Sequence, residues 1–220
     1  MAEIGRIEGG LHLIAVPIGA ARDITLRALD VLTVADVLAA EDTRSLRRLM
    51  DIHGIALGDR PLIPYHDHNG PTARPRLMAA LRQGKSVAYA SEAGTPLIAD
   101  PGFQLGVEVR AAGLPVRAAP GASAVLAALC VAGLPTDRFF FNGFLPPKSV
   151  ARKAALRDLS TVPGTLIFYE SPKRLQAMLR DAAEVLGPRD AAVCRELTKK
   201  FEEVRKAPLD ALAESYAAND

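Results

Sequence analysis

Ala90-Ser91-Glu92-Ala93-Gly94-Thr95-Pro96-Leu97-Ile98-Ala99-Asp100-Pro101-Gly102 decides how this chain is read. The apolar run before it, Ser86 to Ala90, reads as a strand and opens into a loop too rich in Gly and Pro to continue any regular element. In open α/β sheets ligands settle beyond the carboxyl ends of the strands, where glycine lets the backbone come close and proline fixes its path. The same rhythm recurs on either side. Leu11 to Pro17, Val37 to Ala40, Leu62 to Tyr65 and Val116 to Ala119 also read as strands. Between them Leu26-Leu29-Val31-Leu32, Leu46-Leu49-Met50 and Leu77-Met78-Leu81 repeat at helical spacing, and Phe103-Leu105-Val107-Val109 runs towards Gly113, a helix terminator. Strands alternating with helices predict a largely parallel sheet over residues 1–120.

A second α/β set follows, with strands at Phe139 to Phe141, Thr165 to Tyr169 and Ala191 to Arg195 and helices at Ala151 to Leu159 and Leu175 to Leu186. The expected boundary is Pro120-Gly121, giving domains 1–120 and 121–220. No low-complexity linker or internal repeat separates them, so the halves are expected to pack closely around a cleft. The apolar run Ala122 to Leu134 reads as a buried helix between them.

The 220 residues are 49% apolar and 24% charged, which excludes disordered and fibrous classes and fits a cytoplasmic enzyme. The longest apolar stretch falls short of the roughly 20 residues a membrane span needs, and no export leader is expected at the amino terminus. Cys130 and Cys194 lack metal-site or disulfide-scaffold spacing and read as inert buried thiols. The net charge of +2 does not announce nucleic acid, but its distribution is uneven. Between Arg138 and Arg174, seven cations (Arg138, Lys148, Arg152, Lys153, Arg157, Lys173 and Arg174) face only Asp158 and Glu170. That excess predicts a local basic patch, although a solvated helix face looks the same in sequence.

No Gly-x-Gly-x-x-Gly follows the first strand and no P-loop is present, so dinucleotide and triphosphate enzymes lose ground. The first strand leads instead into Pro17-Ile18-Gly19-Ala20-Ala21-Arg22-Asp23, ahead of a helix with Asp23 and Thr25 as N-cap candidates. His66-Asp67-His68 places two imidazoles on one side of an extended segment, but no Cys or distant third ligand completes a metal site, and no metal is expected.

The quoted loop is similar to the signature Ser-Asp-Ala-Gly-Thr-Pro-x-x-Ser-Asp-Pro-Gly of the ribosomal RNA small subunit methyltransferase I family, within the tetrapyrrole methylases. Further blocks follow in the family's order: Val16 to Gly19 with Asp23 to Leu29, Ala40 to Arg44, Tyr65 to Asn69, Pro120 to Ala124, Gly133 to Phe139, Gly143 to Pro146, Phe168 to Pro172 and Arg195 to Lys199. The resemblance implies two α/β domains of tetrapyrrole methylase type with S-adenosyl-L-methionine bound in the cleft. It implies cofactor contacts from Pro17, Ile18, Gly19, Gly94, Thr95, Pro96, Ile98, Ser123 and Ala124, and from Tyr169, Leu197 and Thr198 of the second domain. The implied reaction is 2′-O-methylation of a decoding-centre cytidine in small-subunit rRNA, with free rRNA or the assembled subunit as partner and a homodimer as the assembly. A ribose hydroxyl is a weak nucleophile, so an acceptor for its proton helps. Glu170 and Glu196, each opening a loop after a strand, are the favoured candidates ahead of Glu41, Asp42 and His66. Arg44, His66, Arg138, Lys148 and Arg195 are candidates for RNA contact.

The chain departs from the pattern at Val16, Ala20, Glu92, Asp67 and Ala122, where Thr, Asn, Asp, Glu and Pro are usual. Val16 and Ala20 each remove a polar group from the first loop. Family members usually continue through another strand beyond the helical stretch Leu209 to Tyr216; without it, an unpaired sheet edge is expected. Two rival functions remain open, C-methylation of a tetrapyrrole such as uroporphyrinogen or a precorrin, and RNA binding without turnover.

Overall fold

The computed structural model describes residues 5–66, 69–100 and 102–217. Its contacts divide the chain into two compact units, Met1–Ser123 and Ala124–Asp220.

The first unit holds β1 (Gly10–Ile14), α1 (Leu26–Val34), β2 (Val37–Ala40), α2 (Thr43–Ile52), β3 (Leu62–Pro64), α3 (Gly70–Arg82), β4 (Ser86–Ala90), α4 (Phe103–Ala111) and β5 (Val116–Ala119). Its five strands form one parallel sheet in the order β3-β2-β4-β1-β5. Successive strand side chains point to opposite faces, and here both faces are covered. Leu38, Ala40, Ala88 and Ala90 join Leu32, Leu46 and Met50 of α1 and α2, whereas Val37, Ala39, Val87 and Tyr89 join Leu77, Leu81, Leu105 and Val109 of α3 and α4. That double burial makes the strands read as apolar runs instead of alternating ones.

Thr25 caps α1 by accepting from the Ala28 N–H at 3.2 Å, and Asp42 caps α2 through the amides of Arg44 and Ser45. β1 stops at Ile14, short of the expected Pro17. Val16 instead pairs across to Gly94, and Pro17 has no N–H with which to continue a ladder.

The second unit holds α5 (Ala124–Val131), β6 (Phe139–Phe144), α6 (Ser149–Leu159), β7 (Thr165–Tyr169), α7 (Pro172–Leu186), β8 (Asp190–Arg195), β9 (Glu203–Pro208) and α8 (Leu209–Ala217). β6 and β7 form a parallel ribbon with a bulge between Phe141 and Gly143; β8 and β9 form an antiparallel one. Leu156, Met178, Leu179, Ala182, Leu209 and Leu212 of α6, α7 and α8 build its core.

Three readings need correction here. α5 is shorter than Ala122 to Leu134 and buries only Val125 and Leu129, leaving Leu126 exposed. Cys130 is exposed because it falls on the outer side of that helix, and Cys194 is half-buried with Sγ 3.9 Å from Ala128 O; burial, then Glu202, pushes its thiol pKa up. The basic excess between Arg138 and Arg174 is answered in part, by Asp181 and Glu184 of α7 and by Glu170 just ahead of it. Arg152 is buried against Asp181, Lys153 pairs with Glu184, and Arg174 pairs with Glu170. Exposed Arg138, Lys148, Arg157 and Lys173 remain.

Candidate functional site

In the first unit, three loops meet at the carboxyl ends of the central strands. Val16 N–H donates to Gly94 O at 2.9 Å and Gly94 N–H donates back to Val16 O at 3.0 Å, tying the loop after β1 to the loop after β4. Thr95 Oγ1 donates to Ala122 O at 2.9 Å, tying in the segment after β5. Gly94 lies at φ +74°, and a Cβ there would stand 3.2 Å from Ile18 Cγ2, so glycine is what lets the loops close. Pro17, Ile18, Gly94, Thr95 and Pro96 are brought together in this way. Gly19 and Ile98 are exposed beside them, Ile98 presenting 42% of an apolar surface to solvent, and Ser123 lies half-buried just before α5.

A group of carboxylates borders the same loops. Glu41 follows β2 directly, its amide donating to Ala90 O, and its Oε2 accepts from the Glu92 N–H at 3.0 Å. Asp100 faces both. Burial, then the charge of Glu41, raise its pKa to about 6, with a hydrogen bond from Ser91 opposing the rise and Glu92 adding least to it. Sequence reasoning passed over Asp100, although it stands in the quoted loop with Glu92, because its burial and the approach of Glu41 from the segment after β2 are set by the fold. Left-handed backbone at Leu97 and Ala99, φ +71° and +60°, shows that the loop carrying it is held under strain.

Folded Asp100 holds its proton more tightly than the unfolded chain, whose value is near 3.8, so its stabilisation is full below about pH 4 and is lost as pH rises to about 6. Asp100→Asn is expected to be more stable than the parent by about 1–2 kcal/mol at pH 7.5, a figure reduced for partial exposure, with no advantage near pH 4. Urea denaturation at the two pH values checks this.

In the second unit, a cavity of about 1400 Å³ runs along β7 and β8 and is walled by α5 and α7. Ala124, Arg138, Tyr169, Glu170, Arg195, Glu196 and Leu197 all line it. Glu170 is buried at the turn into α7; its Oε1 accepts the Ser171 N–H at 2.8 Å. Its Oε2 lies 3.1 Å from Arg174 Nη2, but that group donates to Leu145 O at 2.7 Å, leaving Oε2 with charge compensation and no hydrogen bond. Glu196, at φ +51°, is exposed and holds Lys199 Nζ at 3.1 Å. Thr198 lies in the same loop, its amide donating to Glu202 Oε2 at 2.6 Å.

The remaining expected RNA contacts scatter. Arg44 is exposed, but its Nε and Nη2 fork is already engaged by Asp42 at 3.2 and 2.9 Å. This pairing drops the Asp42 pKa to about 2, through hydrogen bonds from the Arg44 side chain first and its backbone second. His66 lies in the connection after β3, its amide donating to Asn69 Oδ1. Arg195 lies 3.7 Å from Glu203, and Lys148 is exposed ahead of α6. Asp67 and His68, which completed the His-Asp-His segment, lie outside the described residues. Among the described residues no group of three His, Cys, Asp or Glu is placed to hold a metal, and no helix is long and apolar enough to cross a membrane.

Comparison with known proteins follows the same lines. The description of the Tetrapyrrole (Corrin/Porphyrin) Methylases matches residues 10–213. Proteins named ribosomal RNA small subunit methyltransferase I are 52% identical over 97% of this chain in Mesorhizobium japonicum, 48% over 93% in Micromonospora olivasterospora and 47% over 96% in Xylella fastidiosa. The matches span 72%, 64% and 77% of those proteins' own lengths. Among solved structures, a uroporphyrin-III C-methyltransferase from Thermus thermophilus complexed with S-adenosylhomocysteine superposes with TM-score 0.63, covering 96% of this chain and 92% of its own at 22% identity. A cobalt precorrin-4 methyltransferase of cobalamin biosynthesis gives 0.68, covering 95% and 89% at 17% identity. Likeness at that identity establishes the shared fold.

Proposed function

The chain belongs to the ribosomal RNA small subunit methyltransferase I family of tetrapyrrole methylases, and we propose that it methylates the ribose 2′-hydroxyl of a decoding-centre cytidine in small-subunit rRNA, using S-adenosyl-L-methionine. The observation that carries this reading is the match of 52% identity along nearly the whole chain to a protein of that name. The tetrapyrrole alternative rests on fold likeness alone.

The residues fit the cofactor. Loops closed on Gly94 leave Ile98 exposed and Pro17 and Ile18 partly so, an apolar wall for a thioether and ribose, with Thr95, Gly19 and Ser123 supplying small polar or backbone groups around it. When bound, S-adenosyl-L-methionine supplies an activated methyl on a sulfonium leaving group. What the chain must add is positioning and an acceptor for the hydroxyl proton. Glu170 is assigned that acceptor role, because its buried Oε2 accepts no hydrogen bond while Ser171 and Arg174 fix the carboxylate in place. Glu196, engaged by Lys199, is assigned to shaping the loop that carries Leu197 and Thr198. Arg138, Lys148 and Arg195 are assigned to phosphates, which makes binding fall steeply with salt. A homodimer and a cytoplasmic location complete the reading.

Incubating the protein with methyl-labelled cofactor and small subunits that lack the modification is expected to place label on one cytidine ribose at the decoding centre, mapped by nuclease digestion and mass spectrometry. Cofactor binding with no label on RNA would return the substrate question to the tetrapyrroles.

A further inference from the structure

The β8–β9 hairpin closes through Glu196-Leu197-Thr198-Lys199-Lys200-Phe201-Glu202, and Phe201 of this loop is 69% exposed. A large aromatic with so little burial contributes almost nothing to its own fold, and water around it costs free energy. The loop nevertheless holds it firmly. Lys199 N–H donates to Glu196 O at 2.9 Å, Glu202 N–H donates to Lys199 O at 3.2 Å, and Thr198 N–H donates to Glu202 Oε2 at 2.6 Å. Two non-glycine residues of this short turn, Glu196 and Thr198, sit at positive φ, a conformation that costs free energy and is kept here by those bonds.

Two lysines precede the ring, and Glu202, which follows it, is engaged by the Thr198 amide. Lys200 Nζ stands 5.4 Å from the ring centroid, and Lys199 is next in sequence, its ammonium anchored by Glu196. A flat apolar ring beside ammonium groups matches one ligand chemistry closely: an unstacked nucleobase on the ring with its flanking phosphates on the lysines. Apolar protein partners would be poorly served by two adjacent lysines, which are depleted from interface cores.

We propose that Phe201 is a base-stacking residue for the RNA substrate, holding a splayed nucleotide next to the one that is methylated, with Lys200 as its phosphate partner. This rests on the rRNA reading above and adds to it a named element of substrate recognition. The role is binding and positioning, since Phe201 carries no group able to exchange a proton.

The test compares Phe201→Ala, Phe201→Trp and Lys200→Ala with the parent in steady-state methylation of small subunits, together with cofactor affinity by calorimetry and mass by light scattering. Phe201→Ala is expected to raise KM for the subunit about tenfold or more, in the range that loss of one stacked base gives, with cofactor affinity and melting temperature unchanged. Phe201→Trp is expected to restore the parent KM, and Lys200→Ala to raise KM and flatten its salt dependence. An unchanged KM in Phe201→Ala overturns the proposal, as does a change in mass that accounts for the loss of activity. If the parent itself fails to label rRNA, the functional reading has failed, and the two failures are thereby told apart.

Discussion

Replacing Asp181 with Ala is expected to destabilise the second unit by about 3–5 kcal/mol. Arg152 and Asp181 are both about 4% exposed, with Nη2–Oδ2 at 2.6 Å and Nε donating to the same oxygen at 2.7 Å. Removing the carboxylate leaves a buried guanidinium for which, among the described residues, Pro147 O at 3.1 Å remains as acceptor. The penalty is that of an unpaired charge in an apolar site, larger than the net worth of the ion pair. Domains of this size are stable by roughly 5–15 kcal/mol, so the variant sits near the edge of folding. An early separate unfolding transition in urea, with amide exchange accelerated in α6 and α7 but not in β1 or β4, is the expected result. The double variant Arg152→Met with Asp181→Leu, which removes both charges and keeps volume, is expected to recover most of the loss. Equal stability of Asp181→Ala and the parent would mean that Arg152 reaches water.

That pair also shows where reading the sequence runs out. The first unit's strands were legible because Val87-Ala88-Tyr89-Ala90 is apolar on both faces, and burial on both faces needs no information from elsewhere. The loop at Gly94 was legible for a similar reason: glycine and proline state their backbone demands locally. β9 was not, since Glu203-Val204-Arg205-Lys206-Ala207-Pro208 carries the charge of an edge strand and reads as surface. Arg152 was counted with the surface cations because its partner lies 29 residues away on another helix. Arg44 looked ready for phosphate until its fork was found closed on Asp42 two residues before it. Charge type is visible in a sequence, whereas whether a charge is already answered is a property of packing. The same limit hid Asp100, whose proton affinity is set first by burial and then by Glu41 from the segment after β2, with Glu92 of its own loop adding to it.

Gly94→Ala is expected to weaken S-adenosyl-L-methionine binding by at least tenfold, and Gly84→Ala to leave it unchanged. The two glycines share φ +74°, so placing a Cβ at either costs the same left-handed strain, about 1–2 kcal/mol. Around Gly84 a Cβ meets nothing within 4 Å, so the strain is the whole effect. At Gly94 the Cβ stands 3.2 Å from Ile18 Cγ2 and 3.5 Å from Ala122 O. Ile18 must give by a few tenths of an ångström, and Gly94 cannot retreat without breaking its two bonds to Val16. The displacement therefore passes into Pro17-Ile18-Gly19 and, through Thr95, into the segment at Ala122, the loops assigned to the cofactor. Losing tenfold in affinity takes only about 1.4 kcal/mol of misplacement, which a shift in three coupled loops readily supplies. Thermal melts should fall for both variants, further for Gly94→Ala, while calorimetry finds the lost affinity in Gly94→Ala alone. If both retain the parent affinity, the loop after β4 does not face the cofactor and the site lies elsewhere in the chain.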